Sequence, residues 1–462
     1  MNIKNTNDLF LILGFGIVLC IVIFNCNHGF FWDGVHYSSI QPNFYYATQF
    51  SSLWIPNAIE SGEVPSFAIY IAAVWTVFGR TLTVSHLAML PFVIGIVLQL
   101  FSLCRKFIKS EFAGIAMLLI LADTTLLSQI SLVSPDLPLL FFFLLGLNAL
   151  LENKKITLSI CICFLFLSIT RGILLAFCLL LLDLYLSIKQ IKNKKEIFKS
   201  LLRKGVIYIP GLILFLIYNY FHYLNKGWVL THEDSPWKGT QDVVNGKELL
   251  VNIALLCWRL IDFGKIIIWI ILFILLIKLK KQIFKKEEFK VLILLAGFIL
   301  FFVHIDMLWA KNLLAHRYFM PFNIVFSLLC ASILFSDLVT KKLKFVGLVL
   351  WFGVLLSGSF WIYPDKIAKG WDSTLAHLPY YELRLKAIDY LDEKQIDFKQ
   401  TSSFFPNTAF IDLIDLNHDY RNFKNFDGKS PYVFYSNIYN IADKEYDEIH
   451  NKDLYEVVKK FE

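Results

Sequence analysis

Residues 9–24 read LFLILGFGIVLCIVIF, sixteen residues without a charge. A helix needs ~20 mostly apolar residues to cross a bilayer. Ten more such segments follow at about 84–104, 112–131, 136–151, 156–169, 172–188, 205–223, 262–279, 291–309, 318–336 and 345–362. The pattern predicts a polytopic α-helical membrane protein of about eleven spans. The composition agrees: 57% of the 462 residues are apolar and 18% charged, against about a quarter charged in soluble domains. Mean hydropathy is +0.59. A soluble enzyme, a disordered chain and a secreted disulfide scaffold are excluded. No small-residue cleavage site follows the first run, where Asn25-Cys26-Asn27-His28 leads into aromatic sequence. It is therefore expected to be a retained span. The eight cysteines lie in or beside apolar segments and outline neither a disulfide framework nor a metal site.

The net charge of +7 divides unevenly. Residues 1–362 carry 31 Lys and Arg against 19 Asp and Glu, whereas residues 363–462 carry 13 against 18. The basic excess belongs to the membrane part, where it sets topology, so nucleic acid is not an expected partner. Arg105/Lys106/Lys109, Lys154/Lys155, the runs Lys189–Lys204 and Lys278–Lys290, and Lys341/Lys342/Lys344 alternate across the spans. The positive-inside rule places them, with the N-terminus, in the cytoplasm. An odd span count then puts the chain after about Tyr363 outside. Residues 1–362 read as the transmembrane domain and residues 363–462 as a small α/β domain on the outer side. In the latter, Tyr380–Lys394 and Asp443–Phe461 are helix-like and Ser430–Tyr435 strand-like. Residues 27–83 form a long first outer loop, rich in aromatics, that suits interfacial helices.

Four segments at the outer boundary can carry chemistry. Phe31-Trp32-Asp33-Gly34-Val35-His36-Tyr37 offers a carboxylate among aromatics, and its plainer reading is a helix N-cap. In Ser61-Gly62-Glu63-Val64-Pro65, Glu63 reads equally as a cap. Ser134-Pro135-Asp136 also makes an ordinary helix start. Around His316-Arg317-Tyr318, the arginine suits a bidentate phosphate contact as well as snorkelling to the interface.

Together these segments resemble the GT-C superfamily of membrane glycosyltransferases. The elements are Asp33 and a following Tyr in a long first outer loop, Gly-Glu-x-Pro leading to Phe78-Gly79-Arg80, and Ser-Pro-Asp-Leu-Pro before an aromatic span. Thr170-Arg171 and the late Arg317-Tyr318-x-x-Pro321 complete the order. The branch it resembles most is that of the protein O-mannosyltransferases and the aminoarabinose transferases that modify lipid A. The resemblance implies a GT-C-like fold and transfer of a sugar from a polyprenyl-phosphate donor to a protein, lipid or cell-surface glycan at the outer face. It implies Asp33 as base in an inverting displacement, with Glu63 and Asp136 as further catalytic acids. Arg171 and Arg317, helped by Lys311, would bind the donor phosphate. His36, Tyr37, His316 and Tyr318 are further substrate-site candidates. Where many relatives have Asp-Glu, this chain has Asp33-Gly34, and His36 is the candidate to compensate. A divalent metal is left open, with Asp33, Glu63 and Asp136 as the acids that would hold it. The Phe-rich stretch 139–144 is the expected wall of the donor's polyprenyl groove.

A lipid-linked sugar flippase or a glycan polymerase is the competing reading. Such transporters often show repeated halves, and no internal repeat is visible here. The Lys/Ile/Phe/Asn-rich usage suggests an AT-rich genome and a bacterial inner membrane, whose lipids would surround the spans.

Overall fold

The computed structural model describes residues 3–189, 194–230, 232–235, 238–311, 315–363, 370–439, 441 and 443–450. Each of the eleven apolar segments falls on helix, but not as eleven uninterrupted crossings. Among the described residues six helices are long and apolar enough to span a membrane: Thr6–Asn25, Leu82–Phe107, Thr170–Ile188, Lys204–Lys226, His316–Leu334 and Lys341–Phe360. Two more candidates are bent pairs. Ser110–Leu121 meets Thr124–Ile130 at 71°, and Gly246–Ile261 meets Ile266–Ile283 at 83°. Asp136–Leu151 and Lys155–Phe166 are shorter apolar helices. Hydropathy reports composition and not bending, so the sequence reading places a span on each segment and finds only the pair at 156–188 short for two. The chain is a multi-pass helical membrane protein.

Burial sorts the helices into layers. Met320–Leu334 is buried at every position, and Asp136–Leu151 at most of them. The helices Lys204–Lys226 and Lys341–Phe360 bury only 22% of their apolar stretch. Water cannot cover so much exposed Leu, Ile and Phe, so these helices form the lipid-facing rim.

The two bends meet. Breaking a helix frees backbone groups that hydrocarbon cannot satisfy, so the protein must. Asp123 accepts the Thr125 and Leu126 N–H groups at 3.0 Å each, capping the second half of its pair. Lys265, in the other break and 2% exposed, donates to Thr125 Oγ1 at 2.8 Å. Thr124 Oγ1 donates to the Phe263 carbonyl at 3.3 Å. The two breaks are thus bonded to each other.

The first loop folds into short helices, Asp33–Val35, a π-helical turn His36–Ile40, and Gln41–Ala47. A longer helix follows at Ser66–Phe78. It buries Ala68, Ile71, Ala72 and Trp75 and leaves Val77 and Phe78 exposed, an amphipathic pattern suited to the membrane surface. The chain after residue 370 contains the helix Pro379–Glu393 and three short parallel strands, β1 (Thr401–Ser403), β2 (Lys424–Asn425) and β3 (Tyr432–Val433), in the order β2-β1-β3. Ser402 pairs with Lys424 on one side of β1 and with Val433 on the other. The helix expected at Tyr380–Lys394 is present one residue earlier, and the strand expected at Ser430–Tyr435 is confined to its centre. Of the helix expected at Asp443–Phe461, Asp443–Ile449 is formed, and residues 451–462 lie outside the described residues.

This tail shares its core with the first loop. Phe31, Leu132, Tyr380, Tyr381, Ile438 and Tyr439 form one buried cluster, and His28 stacks on Tyr381 at 4.4 Å. Arg80 grips Asp412 with both terminal nitrogens, at 3.2 and 2.7 Å. Their side chains are only 9% and 5% exposed. Removing one partner of a buried pair strands the other charge, at a cost of about 3 kcal/mol or more. Arg80→Ala should therefore lower the thermal midpoint and speed proteolysis within the tail. The double variant Arg80→Ala/Asp412→Ala should recover part of the loss. Unchanged proteolysis in Arg80→Ala would show that the pair does not fasten the tail.

Candidate active site

Three distant parts of the chain meet around one cavity of about 270 Å³ at one end of the bundle. The first loop brings Trp32, Asp33, Tyr37 and Glu63. Helix starts bring Asp136, Arg171 and Tyr318, with Arg317 just before, and the tail brings Asp372.

Arg317 is the centre. Its Nε lies 3.2 Å from Asp136 Oδ2. One terminal nitrogen is ion-paired to Asp33 and the other to Asp372. Asp136 also reaches Arg171, with Oδ1 2.7 Å from Nη1, so one carboxylate bridges two guanidiniums. Arg171 lies over the Tyr318 ring at 3.9 Å, a cation–π contact that fixes its plane. Glu63 faces the same cavity from the other side. It accepts the Thr170 N–H at 2.7 Å and the Thr170 hydroxyl at 2.9 Å. Burial pushes its carboxyl up, and the Thr170 donors with Arg171 draw it back part of the way. At Asp372 burial also pushes up, but the Arg317 guanidinium outweighs it and holds the carboxyl below its usual range. Burial lifts the Tyr37 phenol well up, with Glu63 and Asp33 adding to it, so Tyr37 stays a neutral donor.

Local backbone places these side chains. Trp32 has φ 46° and ψ −128°, a conformation costing of order 1–3 kcal/mol in a bulky residue. It turns the chain between Phe31, packed 4.9 Å from His377, and Asp33 in the cavity. Gly62 has φ +79°, and the Leu230 carbonyl occupies the space a Cβ would need. Only glycine lets this turn deliver Glu63. Gly370, at φ +55°, leaves no room for a Cβ, which would lie 2.5 Å from His316 Nδ1. It starts the turn that carries Asp372.

Of the residues singled out in the sequence, Asp33, Tyr37, Glu63, Asp136, Arg171, Arg317 and Tyr318 line the cavity. Three others do not. His36 points behind the loop, 2.8 Å from the Ile59 carbonyl. Burial takes its pKa down to about 4, so it does not replace a second carboxylate beside Asp33. His316 turns away from the cavity, with Nε2 2.7 Å from Asp262 Oδ2. Lys311 is exposed, and its N–H donates to the Asp242 carbonyl. The Phe-rich stretch does not line the cavity either: Phe142 stacks on Phe164 at 4.2 Å, and Phe141 packs against Phe92. A second space, almost wholly apolar and of about 240 Å³, lies between Ile266–Ile283, Glu287–His304 and Met320–Leu334, lined by Trp269, Phe322 and Phe326. Asp33, Glu63 and Asp136 do not fit a shared metal, because their oxygens are aimed at Arg317, Thr170 and Arg171. Among the described residues no group of three or more His, Cys, Asp and Glu side chains is placed to hold one.

Sequence reading missed Asp372 and Gln129. Asp372 stands twelve residues beyond Phe360 as one acid among many in a polar tail, and no local pattern marks it.

No family model and no curated protein matches the chain. Its structural neighbours include ArnT from Cupriavidus metallidurans in two crystal structures. The one bound to undecaprenyl phosphate is 13% identical, with a TM-score of 0.49, covering 76% of this chain and 62% of that one. The apo state is 15% identical, with a TM-score of 0.47, covering 70% and 59%. This chain thus spans about three fifths of the length of the ArnT chains it matches.

The pair Glu63–Thr170 makes a pH prediction. Thr170→Val removes a donor that supports the carboxylate, so the neutral acid is favoured and the Glu63 titration moves further up. Difference infrared spectroscopy of the protonated carboxyl band, assigned with Glu63→Gln, checks this. An unmoved titration would show that the Thr170 hydroxyl does not support the charge.

Proposed function

We propose that this protein transfers a sugar from a polyprenyl-phosphate donor to an acceptor at the outer face of a bacterial inner membrane. The N-terminus lies in the cytoplasm and the tail outside, as the loop charges direct. The observation that carries the reading is the division of charge in the cavity: carboxylates clustered on Arg317 at one side, and Arg171 over Tyr318 beside them. Glycosyl transfer needs both. Positive charge grows at the anomeric carbon as its bond to the leaving oxygen breaks, and carboxylates stabilise it. Negative charge grows on the departing phosphate, and a fixed guanidinium stabilises that.

Among the described residues Arg171 has one ion pair, to Asp136, which leaves donors for a phosphate. All three Arg317 nitrogens are committed to carboxylates, so its role is to set the acids and its share in phosphate binding is the smaller. Asp33 has the most open side chain, 37% exposed against 3% for Asp136 and 12% for Asp372. It is the base. The acceptor oxygen bonds to the anomeric carbon and its proton passes to Asp33. The carbon–oxygen bond to phosphate breaks with its electron pair going to the leaving polyprenyl phosphate, and direct displacement inverts the centre. The apolar space beside Phe322 suits the donor's hydrocarbon, because two of its walls are the helices whose ends lie next to Met307 and Arg317.

Purified protein in nanodiscs, offered a panel of polyprenyl-phosphate sugars and a crude envelope acceptor, tests this. Wild type should release polyprenyl phosphate. Asp33→Asn should cut turnover by ~10²–10⁴-fold, the usual range for a positioned base. Arg171→Ala should slow release more than Arg171→Lys, since only the former removes the charge. Full turnover by a correctly inserted Asp33→Asn would remove the base assignment. Movement of labelled lipid-sugar across the bilayer without release would replace the transferase with a flippase.

A further inference from the structure

Gln129 is 1% exposed and stands near the end of Thr124–Ile130, the half-helix beyond the 71° bend. Its two amide atoms reach opposite parts of the protein. Nε2 donates to the Asp372 backbone carbonyl at 2.7 Å. Oε1 accepts from the Ser134 hydroxyl at 2.5 Å, and Ser134 Oγ in turn accepts the Asp136 N–H at 3.3 Å. The amide orientation follows from chemistry: the Asp372 carbonyl can only accept, so the nitrogen must face it. Neighbouring Ser128 bonds the same tail turn, at 2.9 Å to the Asp372 carbonyl and 3.0 Å to that of Thr374. It does not reach the Asp136 side. A carboxamide does both, because it carries a donor and an acceptor at fixed separation.

We infer that Gln129 is a positioning residue, tying the helix start that carries Asp136 to the tail turn that carries Asp372, so that both carboxylates meet Arg317 together. This goes beyond the transferase reading and rests on it only for its kinetic consequence. Gln129 touches the cavity wall without being needed for bond making. Its effect is on how often the two acids and Arg317 share one arrangement, and misplacement on this scale is costly to a reaction that depends on alignment.

Two variants separate positioning from simple filling of space. Gln129→Met keeps the volume and loses both hydrogen bonds. Gln129→Glu loses the donor only while ionised: protonated, it again presents one O–H donor and one carbonyl acceptor. Burial beside Asp136 and Asp372 disfavours the charged form of the new carboxyl. The titratable and charged groups facing this position are Asp136, Asp372 and His377, with Arg317 and Asp33 beyond. His377 has its pKa brought down to about 4 by burial, so it stays neutral from about pH 5 to about pH 8. Wild type supplies the control for the rest.

The full chain in nanodiscs is assayed across that range for polyprenyl phosphate release. Hydrogen exchange of the amides in 371–377 is followed in parallel, each variant compared with wild type at the same pH. Gln129→Met should lower kcat about tenfold at every pH with donor KM within about twofold, the loss expected for two aligned hydrogen bonds. Its tail turn should exchange faster throughout. Gln129→Glu should match it near pH 8 and return to within about twofold of wild type near pH 5, in both readouts. If Gln129→Glu shows no recovery at low pH, or if both variants match wild type in turnover and exchange, the positioning role is overturned. If wild type turns over no donor, the transferase reading fails, and the exchange data still decide whether Gln129 holds the turn.

Discussion

One guanidinium organises this molecule. Arg317 meets Asp33 from the first loop, Asp136 from the bundle and Asp372 from the tail. Placing a charge at the edge of a lipid-facing bundle is expensive unless every donor is met. Arg317 meets its requirement with carboxylates from three places, and each of those carboxylates in turn needs a cation. The mutual need holds the three segments in one geometry. If the tail moved away, Arg317 would lose one partner and Asp372 its own. The aromatic cluster of Phe31 with Tyr380 and Tyr381, and the Arg80–Asp412 pair, hold the same three-way contact from behind.

The helix breaks make this arrangement possible. A continuous helix through residues 110–130 would carry Ser128 and Gln129 onward along the bundle axis. The 71° bend at Asp123 lays the second half across the end of the bundle instead. Its polar side chains then face the tail, its first freed N–H groups are met by Asp123, and Lys265 of the other break holds the Thr125 hydroxyl. The second bend places Asp262 against His316, immediately before Arg317. Both interruptions therefore turn membrane-buried sequence into polar support for the cavity. The resulting site is a mixed-charge one, with acids around Arg317 and a cation–π-fixed Arg171 beside them, and the proposed transferase reading rests on that division of charge.

The helical, multi-pass character was legible in residues 9–24 and their ten counterparts, because apolar runs of that length have few other stable uses. Asp33, Glu63, Asp136, Arg171 and Arg317 were also legible, as charges standing at the ends of apolar runs where charge is costly and so tends to have a purpose. His36 and Lys311 stood in equally suggestive places, yet His36 turns to the Ile59 carbonyl and Lys311 is exposed. Proximity along the chain does not fix which way a side chain points. Asp372 carried no such mark, being one acid among many in a polar tail.

What the sequence determined by itself was therefore local: which stretches enter the membrane, which side chains stand at its boundary, and the sign of the charge each brings. Those depend on hydrophobicity and charge, which are properties of single residues and short windows. The bends, the contact between tail and first loop, the saturation of Arg317 and the bridging by Gln129 were decided only by the tertiary structure. They arise from pairings between residues some 140 to 330 positions apart (Thr125 with Lys265, Gln129 with Asp372, Asp33 with Arg317, Arg80 with Asp412). Such pairings depend on the desolvation of every partner at once, and no window of sequence contains that.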